Sequence, residues 1–294
     1  MDYKNIKPYI GDMSSSDLCD AIVEARNCEI PEVLNATRLL VDDLRDAILS
    51  ADKIYYLKST WTNSPYINER FSVCVFDDFY YAEKFVERNE TLNLSIVEVQ
   101  APDYEKTFAY LYECGAEGID YCNDTCSVGF GVQHYFLTDD YQTTLDSARI
   151  LNRFILLCMQ EIRNENRQYE RKEDIVTLLK KNIIAEALTA NVFIPVQSVG
   201  DGDVSQPKEM RVATMSTENN ELFFPVYTTV AEFERSPMDG IGLASTSLLA
   251  YIEFVYGIAN THTSVYGLAI NPSSVNFAMN LGIMDLVLQN KQRL

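Results

Sequence analysis

Apolar positions along this chain change their spacing in a way that separates helices from strands. In PEVLNATRLLVDDLRDAILSA (31–51) the residues Val33, Ala36, Leu40, Val41, Leu44, Ala47 and Ile48 recur near the 3.6-residue period, which predicts a helix with one buried face. Pro31 suits its first position, where a missing N–H costs nothing. A shorter helix over 15–27 precedes it, behind a serine cluster able to cap. Beyond it the period shortens. KIYYLK (53–58) and RFSVCVF (70–76) are aromatic and β-branched and read as strands joined by a turn. A helix over 79–89, a strand over 94–100, a helix over 104–114 and strands over 118–122 and 126–137 complete a mixed domain ending near Leu137.

From Asp139 to about Arg167, Leu145, Ala148, Ile150, Leu151, Phe154, Ile155, Cys158 and Ile162 keep helical spacing with no internal Gly or Pro, and a second helical run covers 171–190. The pair reads as a helical connector. The last third then predicts strands in NVFIPVQ (191–197), MRVATMS (210–216) and ELFFPVY (221–227), a helix from about 230, and a helix in TSLLAYIEFVYGIAN (246–260). A strand in VYGLAIN (265–271), a helix from Pro272 and a strand in IMDLVLQ (283–289) follow. This order resembles the first third. LSADKIYYLK (49–58) runs in step with LTANVFIPVQ (188–197) at an offset of 139, and RFSVCVF with ELFFPVY at 151. The expectation is an α+β protein of two similar mixed-sheet domains, 1–138 and 181–294, arising by internal duplication around a connector at 139–180.

Composition adds exclusions. At 294 residues and 47% hydrophobic content the chain can fill two cores. The formal net charge of −19 argues against nucleic acid and anionic membrane surfaces as partners. Residues 1–138 hold −13 of it, 139–180 only −1, and 181–294 the remaining −5. The basic residues Arg149, Arg153, Arg163, Arg167, Arg171 and Lys172 alternate with acids, as on a solvated helix face. The start MDYKNIKPYIGDMSSSDL lacks an apolar leader core, and no apolar run reaches the roughly 18 residues of a membrane span, so a cytoplasmic protein is expected. Seven cysteines in no framework spacing read as reduced core thiols.

Candidate chemistry is sparse. Cys114, Cys122, Cys126 and His134 lack the close ligand pairs of zinc sites, and the cysteines read as core. His134 and His262 have no nucleophile elbow beside them, and no phosphate-binding glycine loop occurs. The loop GDGD (200–203) has Val212 where a calcium loop begun at Asp201 needs glutamate. No catalytic residue, metal or cofactor is expected. The eighteen tyrosines concentrate in the first domain, where Tyr55, Tyr56, Trp61, Tyr66, Tyr80 and Tyr81, with Phe76 and Phe79, are candidates for a partner surface.

Three pieces of the C-terminal third, IIAEALTANVFIPV, ELFFPVYTTVAEFERS and GLAINPSSVNFAMN, resemble the SseB family over about residues 175–290. The N-terminal half matches less well, with Cys74 in place of the turn proline and Asp77 and Asp78 in place of Thr228 and Thr229. The resemblance implies an α+β fold and an accessory or binding role without an agreed enzymatic activity or cofactor. Thr229 with Glu232 also reads as a capping box, and Asn271–Pro272 as an N-cap with proline in the first turn. As a site, Thr228, Thr229 and Asn271 would hold an anion at neighbouring helix N-termini. The leading expectation is a non-enzymatic cytoplasmic protein that binds a protein partner. A small-molecule or anion sensor is the alternative and an unrecognised hydrolase the third. Base rates favour a two-fold homodimer.

Overall fold

The computed structural model describes residues 13–27, 31–137, 146–164, 168–198, 210–235 and 241–292. The protein is α+β and divides into two compact units, Met1–Thr60 with Pro65–Tyr112 and Ala116–Gln142, and Trp61–Ser64 with Glu113–Gly115 and Thr143–Leu294. Among the described residues no helix is long and apolar enough to cross a membrane.

In the first unit, helices α1 (Ser15–Arg26) and α2 (Pro31–Ser50) precede strands β1 (Lys53–Ser59) and β2 (Ser72–Phe76). Helix α3 (Phe79–Arg88), strand β3 (Leu94–Gln100), helix α4 (Tyr104–Glu113), strands β4 (Gly118–Cys122) and β5 (Ser127–Gly131) and the single turn α5 (Val132–Tyr135) follow. Helix α1 starts where the serine cluster predicts: the Ser14 hydroxyl accepts from the Asp17 N–H at 3.1 Å, and the Asp17 carboxylate accepts from the Ser14 N–H at 3.3 Å, a complete capping box. The sheet runs β3-β1-β2-β4-β5, parallel only between β2 and β4. Those two central strands are buried along their whole length, as strands covered on both faces are.

The second unit contains α6 (Asp146–Arg163), α7 (Tyr169–Ala187), β6 (Asn191–Ser198), β7 (Met210–Val212), β8 (Met215–Ser216), β9 (Leu222–Val226) and α8 (Val230–Glu234). It ends with β10 (Gly242–Ser247), α9 (Leu248–Ala259), β11 (Val265–Ile270), β12 (Phe277–Asn280) and α10 (Leu281–Lys291). Its strands form β10-β6-β7 and β12-β11-β9-β8. An antiparallel bridge joins the two groups, since Phe193 and Tyr227 exchange both backbone hydrogen bonds at 2.8 Å. Followed through that bridge the order is β10-β6-β9-β11-β12, parallel only between β9 and β11. It matches β3-β1-β2-β4-β5 in order and in sense. Registers match too: Cys74 pairs with Asp120 where Pro225 pairs with Ala269, and Gly118 pairs with Gly131 where Gly267 pairs with Asn280. Gly131 and Asn280 are in turn the N-caps of α5 and α10.

Several expected elements differ. The strand expected over 126–137 ends at Gly131, where the chain turns into α5. Strand β10 has the small, polar sequence GLASTS and carries no β-branched alternation, yet it pairs with β6 along its full length. No helix starts at Pro272; that stretch is a turn leading into β12, because Asn271 adopts a left-handed backbone (φ 48°) that ends β11. The expected strand IMDLVLQ lies in α10, since Asn280 caps Ile283 at 3.0 Å and Met284 and Val287, three apart, share the buried face. Helices α6 and α7, expected as a connector whose second member opens the next domain, both fall in the second unit. The GDGD loop and Cys28 lie outside the described residues.

Candidate functional site

The residues singled out at the turns of the second unit do come together. Asn271 follows β11 and is fully buried, as is Thr228, which follows β9 by two residues. The Asn271 Oδ1 accepts the Thr228 N–H at 2.9 Å, and its Nδ2 donates to the Thr228 hydroxyl at 2.8 Å and to Asn152 Oδ1 on α6 at 3.0 Å. Its carbonyl accepts the Ser274 and Asn276 N–H groups at 3.1 and 2.9 Å. Asparagine tolerates the left-handed region better than most side chains, so one residue ends the strand and ties three segments together. Asn152 completes the chain by donating to the Cys114 carbonyl at 3.2 Å.

Beside this hub, Thr229 caps the five-residue α8 by accepting the Glu232 N–H at 3.1 Å. Only half of the expected capping box forms, because the Glu232 side chain turns away and accepts a hydrogen bond from the Ser274 hydroxyl. Its Oε1 is buried without a hydrogen bond, and Arg235 reaches no closer than 3.9 Å. Burial outweighs the Ser274 bond and raises the Glu232 pKa. The N–H of Thr228, which an anion would need, is already bonded to Asn271, and the buried carboxylate adds the wrong charge for one. Chemically the cluster is a hydrogen-bonded clasp between two turns.

It lies inside the stretch that matches a family model. Residues 174–280 match the SseB protein N-terminal domain. No curated protein and no solved structure matches the chain. The SseB match runs from within α7 to the end of β12, so it takes in Thr228, Thr229, Glu232, Asn271 and Ser274 but neither Asn152 nor α10. Sequence reasoning missed Asn152, Ser274 and the inward turn of Glu232. The one signal available for Asn152 was a short polar side chain beside Leu151 in an apolar helical run.

In the first unit the aromatic candidates separate. Tyr55 and Tyr56 are buried, contrary to a role in a partner surface: both lie on β1, where Tyr55 packs with Leu57, Cys74, Phe76 and Leu94. Tyr66 and Tyr81 are half-buried against that same core. Trp61 belongs to the second unit, with the Arg163 guanidinium 5.3 Å from its ring centre. Tyr80 is 51% exposed and, with Phe79 at 47%, opens α3 to solvent. Asp78 caps that helix by accepting the Tyr80 N–H at 2.9 Å, as Thr229 caps α8.

The cysteine and histidine candidates do not converge. Cys114 is buried; Cys122 bonds the Asp120 carbonyl at 3.3 Å and lies beside Cys74; Cys126 meets Cys19. Among the described residues no three His, Cys, Asp or Glu side chains are grouped to hold a metal ion. His134 is exposed with its ring edge-on to Tyr135 at 4.8 Å, and His262 is exposed in the turn after α9. A charged feature not foreseen is Asp120, buried in β4, which accepts hydrogen bonds from Asn68 at 2.7 Å and from Arg70 at 2.9 Å.

Proposed function

We propose that this chain is a non-enzymatic cytoplasmic accessory protein, two SseB-like copies derived by duplication, that acts by binding a basic protein partner through the start of α3. The observation that carries the reading is the pair Phe79 and Tyr80, two large aromatic side chains about half exposed and adjacent on one helical turn. Asp78 at the cap and Glu83 and Glu87 on the same helix are exposed, with Lys84 over the Tyr80 ring at 5.7 Å and paired to Glu87 at 2.9 Å, in the part of the chain that holds −13 of the net −19. Aromatic anchors on a net acidic segment suit a partner surface of the opposite sign, because the rings contribute desolvated contact area and the excess negative charge steers the encounter. The matched strand orders and registers of the two units support the duplication.

The test is affinity capture from the native host with the full chain and with a Phe79→Ala, Tyr80→Ala double variant. A basic protein retained by the wild type, released by salt and lost by the variant supports the reading. Equal capture by both chains, or an acidic partner, overturns it. Light scattering on purified protein checks the second partner expectation, a two-fold homodimer of twice the 33.4 kDa chain mass.

A further inference from the structure

Two cysteines 107 residues apart in sequence meet in the first unit. Cys19 lies in the middle of α1 and is fully buried, whereas Cys126 ends the turn between β4 and β5 and is half-buried. Their Sγ atoms are 2.8 Å apart, within about 1 Å of the ~2.05 Å disulfide bond. The walls that carry them are held by other groups. The Asn123 Oδ1 accepts the Thr125 and Cys126 N–H groups at 2.9 and 2.8 Å, fixing the turn. Its Nδ2 donates to the Ser16 hydroxyl at 3.0 Å and to the Asp20 carboxylate at 3.1 Å, and the Thr125 hydroxyl donates to Asp20 at 2.8 Å. Helix and turn are therefore locked together by amide, hydroxyl and carboxylate groups. Bonding the two sulfurs requires them to close by less than about 1 Å between segments already held in place.

We propose that Cys19 and Cys126 are a reversible redox pair, closing a disulfide that staples α1 to the β4–β5 turn when the chain meets a low-molecular-weight disulfide of the oxidised glutathione class. Cys126, the accessible member, attacks first as its thiolate: a bond forms between its sulfur and one sulfur of the reagent, the reagent's S–S bond breaks, and a thiolate leaves and takes up the proton that Cys126 lost. Cys19 then attacks the Cys126 sulfur, the bond to the reagent breaks, and a second thiol leaves with the proton from Cys19. Two protein thiols are oxidised and one disulfide is reduced to two thiols. Burial first and Asp20 after it raise the Cys126 pKa against the opposing bonds from Cys19 and Thr125. Burial, Cys126 and Asp20 raise that of Cys19 against Arg26. Thiolate is scarce near neutral pH, so the exchange accelerates as pH rises.

The experiment takes the full chain, reduced and desalted, into excess oxidised glutathione at alkaline pH, followed by alkylation, intact-mass counting of free thiols and peptide mapping. The expected result is a fall from seven thiols to five, a cross-linked peptide joining Cys19 to Cys126, and recovery of all thiols in dithiothreitol. A Cys126→Ser chain, changed at the half-buried position, should form no cross-link to Cys19 and keep the remaining thiols. A different intramolecular pair in the wild type, a glutathione adduct with no cross-link, or no loss of thiols overturns the proposal; the mapping is read on the wild-type chain, so it does not depend on the variant folding.

Discussion

The turn after β4 in the first unit and the turn after β11 in the second occupy the same place in two sheets of the same strand order, and they are filled with opposite chemistry. Cys122 and Asn271 are equivalent by register, as Asp120 is to Ala269 and Gly131 to Asn280. In the second unit that position holds a carboxamide that ties Thr228 and Asn152 into a buried polar clasp. In the first it holds a thiol, and the polar ties pass to the next residue, Asn123, and run to Ser16 and Asp20. Both turns are anchored to the opening helix of their own unit, by Asn152 on α6 and by Ser16, Cys19 and Asp20 on α1. The backbone plan sets where an anchor is needed. The side chains then decide what it is made of: a carboxamide clasp in the second unit, and in the first the hydrogen bonds of Asn123 and Thr125 with the sulfurs of Cys19 and Cys126 beside them.

The comparison is most easily broken at the paired glycines. A Cβ at Gly267 would run into the backbone of Met279, whereas one at Gly118 would sit 2.7 Å from the Phe130 carbonyl and 2.8 Å from the Ser72 hydroxyl. Gly267→Ala should cost about 3 kcal/mol or more and Gly118→Ala about 1–2 kcal/mol in urea unfolding. Equal losses would show that the two units are as alike in packing at this position as they are in pairing, and would remove the difference drawn here. Asn271→Ala should follow at about 3 kcal/mol, because it leaves the buried Thr228 N–H and Asn152 carbonyl without partners. Cys122→Ala, at the equivalent position, removes only a small side chain and a weak thiol bond, and should cost about 1 kcal/mol. If Cys122→Ala cost as much as Asn271→Ala, the clasp would not be what distinguishes the units.

A smaller effect sharpens the electrostatic side. Burial raises the Glu232 pKa, so the folded state holds that proton more tightly than the unfolded chain does. The carboxyl therefore favours folding when protonated, and that contribution is lost as pH rises from the ordinary carboxylate range through the raised value. Glu232→Gln keeps an acceptor for Ser274 without the charge, so its stability relative to wild type should increase from pH 4 to pH 7. Parallel curves for the two proteins across that range would mean that Arg235 compensates the charge. The smallest change in stability is expected at the exposed aromatics: Phe79→Ala and Tyr80→Ala should each shift unfolding by about 0.5 kcal/mol or less. Their effect belongs to partner capture.

How much was legible depended on whether a signal was local. Helix α2 could be read from the spacing of Val41, Leu44 and Ile48, all of which face inward or nearly so, and strands β1 to β4 from their aromatic and β-branched runs. Strand β10 was missed because Gly242–Ser247 has no alternation of its own and is a strand by virtue of pairing with β6. Helix α10 reads as a strand in sequence because a short apolar run fits either period, and the Asn280 cap is what makes it a helix. Among the tyrosines, composition marked a region; only packing separated buried Tyr55 and Tyr56 from exposed Tyr80.

The sequence by itself determined the α+β class, the acidic balance of the first half and the SseB-like stretch, because periodicity, charge and short apolar motifs are properties of neighbouring residues. The tertiary structure alone decided that Asn271 meets Asn152 across 119 residues and that Cys19 meets Cys126 across 107. Those contacts depend on which helix lands beside which turn, and that is set by sheet order and core packing, which no local pattern encodes.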